Sequence, residues 1–352
     1  MSSPLSRLKG WMTRRPSTSA HGTGRRWVKP AVIVVVLVVL ATWGVAFYWS
    51  RTPDAFNVVA AAGKDTPKDF DPTSVTGYTT AATLANVVQT LLDKPGGYLS
   101  NDVLPPSVLM DDMPNWEYGV IIQVRDLAQS MRNDLSRSRS QSKEDPDLAI
   151  AEPQFNFPNN SWMFPASENE YRKGIKAVHR YMRRLADPND QSTQFYARAD
   201  NLSAWLGLVN KRLGGLSQRL TASVGQYRVN TDLAGDASAT QATSGSDEVY
   251  SQTPWLEIDD VFYQARGATW ALIEFMRAVE IDFHDVLKNK NALVSLRQVI
   301  RELEQTQRPL YSPIVLNGNG FGFFANHSLT MASYIARANA ALIDLQQLLN
   351  QG

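Results

Sequence analysis

The groups in this chain best suited to chemistry are carboxylates, and one histidine that lies near some of them. Glu280 and His284 stand four residues apart, a spacing that puts a carboxylate and an imidazole on one helical face, where they could share a metal ion. Asp282 and Asp285 lie beside them. His179 and His327 are remote in sequence, and the paired Glu-x-x-His elements of a di-metal helical site do not occur. A solvated or salt-bridged face is therefore expected there, and no metal. Asp111-Asp112 and Asp259-Asp260 are adjacent acids. Neighbours on a helix point different ways, so neither doublet makes a glycosidase-type pair by itself. At 259 and 260 the acids also suit a helix N-terminus.

Nucleophile chemistry has less to offer. Ser161, Ser217 and Ser328 sit in no Gly-x-Ser-x-Gly elbow, and the absence of cysteine removes thiol catalysis and disulfides together. Gly318-x-Gly320-x-Gly322 follows the apolar run Ile314-Val315-Leu316, read as a short strand, and precedes a helix, the context of a phosphate-binding turn. The dinucleotide spacing needs glycine at 323, which is Phe323, and no Lys-Ser/Thr follows. A glycine-rich connector is expected, with Gly320, Phe321, Asn326 and His327 around a small pocket. No catalytic residue, cofactor or metal is assigned. The surface expected to meet a partner or ligand comprises Trp255, Glu257, Asp260, Asn326 and His327.

The elements that must position these groups read as helices. Leu84, Val87, Val88 and Leu91 follow i, i+3, i+4, i+7 spacing, and the run stops at Asp93-Lys94-Pro95-Gly96-Gly97. Further helices are predicted over about 115–135, over 171–185 after a capping box at Ser167-Glu168-Asn169-Glu170, and over 193–213, resuming after Gly214-Gly215. More follow over 259–288, 292–305 and 327–350. Phe155, Phe157, Trp162 and Phe164, interleaved with prolines, read as an aromatic loop. The polar face of the 171–185 helix is strongly basic, which fits a solvated face first and an acidic partner second. The expected fold is mainly α: an N-terminal transmembrane helix followed by an all-α helical bundle or array, with little or no β.

That first helix sets the address. Ala31–Trp49 carries no charge, and at 1.5 Å per residue it spans roughly 28 Å, close to the hydrocarbon thickness of a bilayer. Residues 1–30 hold seven Lys/Arg and no Asp or Glu, so the positive-inside bias keeps them in the cytoplasm and sends residues 50–352 across. A cleaved signal peptide has an apolar core of about 7–15 residues and a small-x-small site. This run is longer, and Gly44-Val45-Ala46 is followed by bulky Phe47, so a retained anchor is expected. Beyond the anchor the chain has 28 basic and 34 acidic side chains, a net of −6, which argues against nucleic acid as a partner. The basic tail suits anionic lipid headgroups. The expected organisation is a tail at 1–30, the span at 31–49, a tether at 50–78 and a helical region at 79–229. A polar flexible linker at 230–254 then leads to a second helical region at 255–352 that packs on the first.

Several phrases carry a family likeness. Leu91-Leu92-Asp93-Lys94-Pro95-Gly96-Gly97-Tyr98, Asn115-Trp116-Glu117-Tyr118-Gly119, Trp255-Leu256-Glu257-Ile258-Asp259-Asp260-Val261-Phe262-Tyr263 and Asn291-Ala292-Leu293-Val294-Ser295-Leu296-Arg297 are four of them, with Asn326-His327-Ser328-Leu329 a fifth. Over residues 45–352 the chain resembles a family of uncharacterised, membrane-anchored proteins of Gram-negative bacteria. The resemblance implies a single-pass inner-membrane protein with a periplasmic domain, and brings no activity and no functional residues. The function expected is a non-enzymatic module that binds an envelope protein. The alternatives are an envelope enzyme using Glu257, Asp260 and Glu280 on cell-wall or lipid material, and a periplasmic ligand sensor.

Overall fold

The computed structural model describes residues 24–351, apart from 65, 68, 138–142, 230–247 and 313. Two units emerge, the first ending at Val45 and the second running from Ala46. The first holds most of α1 (Gly24–Trp49). Among the described residues α1 is the one helix long and apolar enough to cross a membrane, over Lys29–Trp49. Its side chains from Val32 to Leu40 are all exposed. A helix apolar all round and left uncovered has the length and composition of a membrane span or an export signal, and differs from the mostly buried core helix of a water-soluble fold.

The second unit is mainly α, as expected. After α2 (Val58–Ala62) and α3 (Tyr78–Asp93) come α4 (Asp112–Ser130), α5 (Leu148–Phe155), α6 (Ser167–Leu185) and α7 (Ala199–Thr221). A two-stranded antiparallel ribbon, β1 (Gln226–Val229) and β2 (Glu248–Ser251), precedes α8 (Ile258–Asp282), α9 (His284–Asn289), α10 (Leu293–Gln305) and α11 (His327–Asn350). The linker expected between the strands falls largely outside the described residues.

Helix α8 is the axis of this unit: 19 of its 25 residues are buried, against α3, α4, α10 and α11. Its buried residues lie on all sides of the helix, so its apolar side chains are not confined to a single stripe. It crosses α4 at backbone contact. A Cβ on Gly119 would lie 2.1 Å from the Gln264 carbonyl oxygen, and one on Gly267 2.0 Å from that of Trp116. The Trp116 and Trp270 rings pack 5.3 Å apart beside this crossing.

Several local expectations need revision. No capping box opens α6: Ala166 is the N-cap, and the Ser167 hydroxyl donates to the Pro158 carbonyl at 2.7 Å, tying down the aromatic loop. Helix α7 runs through Gly214-Gly215 without a break, with Leu213 and Leu216 on either side of the glycines anchored in the core. The predicted 259–288 helix ends at Asp282 and restarts at His284, with Phe283 (φ −106°, ψ 15°) as the joint. Ile314–Leu316 is not a strand; one isolated bridge, Asn317 to Asn326, closes the loop instead. The stretch 50–78 carries α2, with Val58 and Ala62 buried and Phe56 and Phe70 packed on the core. Trp49 also packs there, over Gly96, where φ is +86° and a Cβ would sit 2.7 Å from the indole. Two turns or loops expose large apolar groups: Trp162 and Phe164 before α6, and Phe321, Phe323 and Phe324 before α11.

Candidate functional site

The first group of charges lies in the core. Lys94 and Glu117 form a salt bridge of 2.7 Å with both side chains fully buried. Glu117 also accepts from the Leu99 amide (2.8 Å) and the Ser100 amide (2.8 Å), and Lys94 donates to the Gly97 carbonyl at 2.6 Å. The α3–α4 turn is thus wrapped around one carboxylate on α4. Burial raises the Glu117 carboxyl above its ordinary value, and Lys94 opposes that. This ionic knot fixes a loop and does not face a cleft.

Two more core acids hold the N-terminal part of the unit. Asp282, at the end of α8, accepts from the Thr80 amide and hydroxyl, both at 2.6 Å. It supplies the cap that Gly77, the N-cap of α3, lacks. Glu274 accepts from the Phe56 amide at 3.3 Å and lies 3.4 Å from Arg277. Burial pushes Asp282 up to about 6 and Glu274 up to about 7.

At the N-termini of α4 and α8 the acid doublets meet. Asn115 donates to Asp260 at 2.6 Å. Burial, with Asp259, Asp111 and Asp260 adding negative charge, pushes Asp112 up to about 7. Asp260 is raised as well, chiefly by burial. The doublets therefore form one repulsive patch at two positive helix ends, which offset part of the repulsion. Among the described residues no group of three or more histidine or acidic side chains is placed to hold a metal ion.

These carboxylates predict an inverted pH response. Asp112, Glu274 and Asp282 keep protons in the folded chain that the unfolded chain has released above about pH 4. Their favourable contribution is full below the unfolded value and lost as pH rises through 6 to 7. His327, lowered by burial, works the other way at a single site. The midpoint of thermal unfolding is therefore expected to be higher at pH 5 than at pH 7.5, and Asp112→Asn should shrink that difference. A midpoint that rises from pH 5 to pH 7.5 would contradict this.

The residues singled out in the sequence are only partly brought together. Glu280 and His284 line one open cavity of about 770 Å³ with Arg277, Phe56 and Thr73, although a helix break now separates them. Glu280 is engaged by Arg297 at 2.7 Å. Asn326 caps α11 by accepting from the Leu329 amide at 2.8 Å and donates to Asn317 at 2.8 Å. The His327 Nδ1 accepts from the Leu316 amide at 3.0 Å. Asn326 and His327 therefore shape the base of the 317–326 loop. Trp255 is exposed, and Glu257 joins Asp260 only as a further negative charge near it.

One residue passed over in the sequence is Arg266. It is 8% exposed on α8 and donates to the Gln307 carbonyl at 3.1 Å. Among the described residues it forms no salt bridge, and burial lowers its ordinary value. It lines a cavity of about 420 Å³ with Phe262, Arg308, Leu316, His327 and Tyr334, and a second of about 500 Å³ that Ser50–Ala55 also line. The available signal was a cation within the buried, largely apolar stretch from Ala265 to Ile273.

Fold and sites together describe a mainly α-helical protein with one N-terminal apolar helix and a single compact helical unit. Residues 20–352 match DUF2333, described as an uncharacterized protein conserved in bacteria, and the chain belongs to that family. No curated protein matches it, and no solved structure does.

Proposed function

We propose that this protein is a permanently anchored, single-pass component of the bacterial inner membrane. In this reading its helical unit stands in the periplasm and binds an envelope partner without chemistry of its own. The observation that carries it is the exposed apolar Lys29–Trp49 helix behind a basic tail. The tail at 1–30 would stay cytoplasmic beside anionic headgroups, and residues 31–49 would contact the acyl chains. The buried carboxylates lend further support, since Glu117, Glu274 and Asp282 are spent on holding loops and a helix end.

Having no native cysteine makes the orientation directly testable. Thr18→Cys and Lys211→Cys are placed singly in the full chain, and whole cells with a permeabilised outer membrane meet an impermeant maleimide. Label is expected at 211 and not at 18, on a full-length product. The opposite pattern would reverse the topology. A shortened product that has lost position 18 would make α1 a cleaved signal.

An enzymatic reading through Glu257, Asp260 and Glu280 has weaker support. Asp260 and Glu280 are twenty residues apart on one helix, roughly 30 Å along its axis, far beyond the separation of a hydrolytic carboxylate pair.

A further inference from the structure

The cavity beside Arg266 has a composition that the rest of the unit does not share. Beyond the anchor the chain is net negative, yet this cavity is lined by Arg266, Arg308 and His327 and by no aspartate or glutamate. The remaining wall is largely apolar, with Phe262 and Met331 buried, Leu310 packed on the core and Leu316 lining the cavity. A guanidinium has five donors, and among the described residues one bond, to the Gln307 carbonyl, engages Arg266. Its remaining donors are not sealed from solvent, and an anion in the open cavity would meet them with charge-assisted hydrogen bonds. His327 adds to this: because Nδ1 accepts from Leu316, a neutral ring carries its proton on Nε2 and is a second donor.

The surroundings select the rest of the ligand. Leu316 and His327, two of the cavity's lining residues, flank in sequence the loop that exposes Phe321, Phe323 and Phe324. On its other side Arg266 borders the cavity lined by Ser50–Ala55, the residues that follow the apolar helix. A volume near 420 Å³ falls within the roughly 300–1,000 Å³ of small-molecule sites. We infer that the pocket between α8, the end of α10 and the start of α11 binds an anionic amphiphile, its phosphate or carboxylate head on Arg266 and its apolar chain along Phe262, Leu316 and Met331. The site stands on the cavity and its charges, so it does not depend on which side of the membrane the unit occupies.

The test uses the full chain in phosphatidylcholine nanodiscs, with dansyl-undecanoate as the fluorescent probe. Oleate, oleoyl-lysophosphatidate and uncharged monooleoylglycerol compete for it. Displacement by lysophosphatidate alone assigns a phospholipid-type head; displacement by oleate alone or by both assigns a carboxylate head or a head common to the two. Each of these supports the site, provided monooleoylglycerol is at least tenfold weaker. Arg266→Gln is expected to weaken probe binding roughly ten- to hundredfold, as loss of a charged hydrogen-bond donor does, and Arg266→Lys to retain most of it. Equal displacement by monooleoylglycerol overturns the proposal, as does wild-type binding by a folded Arg266→Gln protein. Should Arg266→Gln fail to fold, Thr330→Trp decides, since it fills the cavity from α11 and leaves the arginine in place. It should abolish binding, and unchanged binding sinks the inference.

Discussion

Replacing Gly119 with alanine should lower stability by about 3 kcal/mol, the upper range for forcing atoms into a packed core. The new methyl would lie 2.1 Å from the Gln264 carbonyl oxygen and 2.7 Å from the Ala268 nitrogen, so two backbones must separate. Helix propensity favours alanine by only about 1 kcal/mol and does not offset this. Gly267→Ala should behave alike, with its methyl 2.0 Å from the Trp116 carbonyl oxygen. In a unit of this size the loss corresponds to a fall in unfolding midpoint of roughly 5–10 °C. Gly215→Ala is the control, because nothing lies within 4 Å of its Cβ position. There the same change should stabilise by up to about 1 kcal/mol. Tryptophan fluorescence during thermal unfolding reads both. If Gly119→Ala and Gly215→Ala moved the midpoint the same way, the close crossing of α4 and α8 would not be what holds the unit together.

The second large effect is expected at Lys94 and Glu117. Glu117→Gln leaves an ammonium buried without its carboxylate, and Lys94→Met leaves the reverse. Breaking a buried pair from one side costs about 3–5 kcal/mol. Because most of that is the orphaned charge, Lys94→Met should cost much less in the Glu117→Gln background than in the wild type. Glutamine still offers an oxygen to the Leu99 and Ser100 amides, so part of the loop anchoring survives in the double variant. Strictly additive losses from the two substitutions would sink this account of the pair.

Much of the helical content was legible, and the reasons are local. Helix α3 shows its apolar spacing and its Pro-Gly-Gly stop, and α11 shows Asn326 at its start, where the side chain does cap. What was not legible depends on partners far along the chain. Phe283 breaks the α8 pattern although no glycine or proline marks the place. Ser167 looks like a cap by spacing but spends its hydroxyl on Pro158 and Ser161. The short α5 lies beside a proline-rich aromatic loop, and its Phe155 is buried against α6, information no window of local sequence contains. The same limit applied to sites. Asp260 was visible as an acid, but its bond to Asn115 joins two helices 145 residues apart in sequence. Arg266 drew no notice because a cation within an apolar stretch of helix has no motif; its meaning lies in the walls that α10 and α11 bring to it.

The cap that Asp282 provides to α3 bears on how the chain is made. Thr80 and its carboxylate are 202 residues apart, and the Phe56 amide waits 218 residues for Glu274. At roughly 5–20 residues per second of synthesis, α3 has emerged for roughly 10–40 s before its cap exists. During that interval its apolar face also lacks α8, against which it packs in the finished unit. The first third of the domain thus waits with part of its apolar face uncovered until the α8 segment arrives to close it.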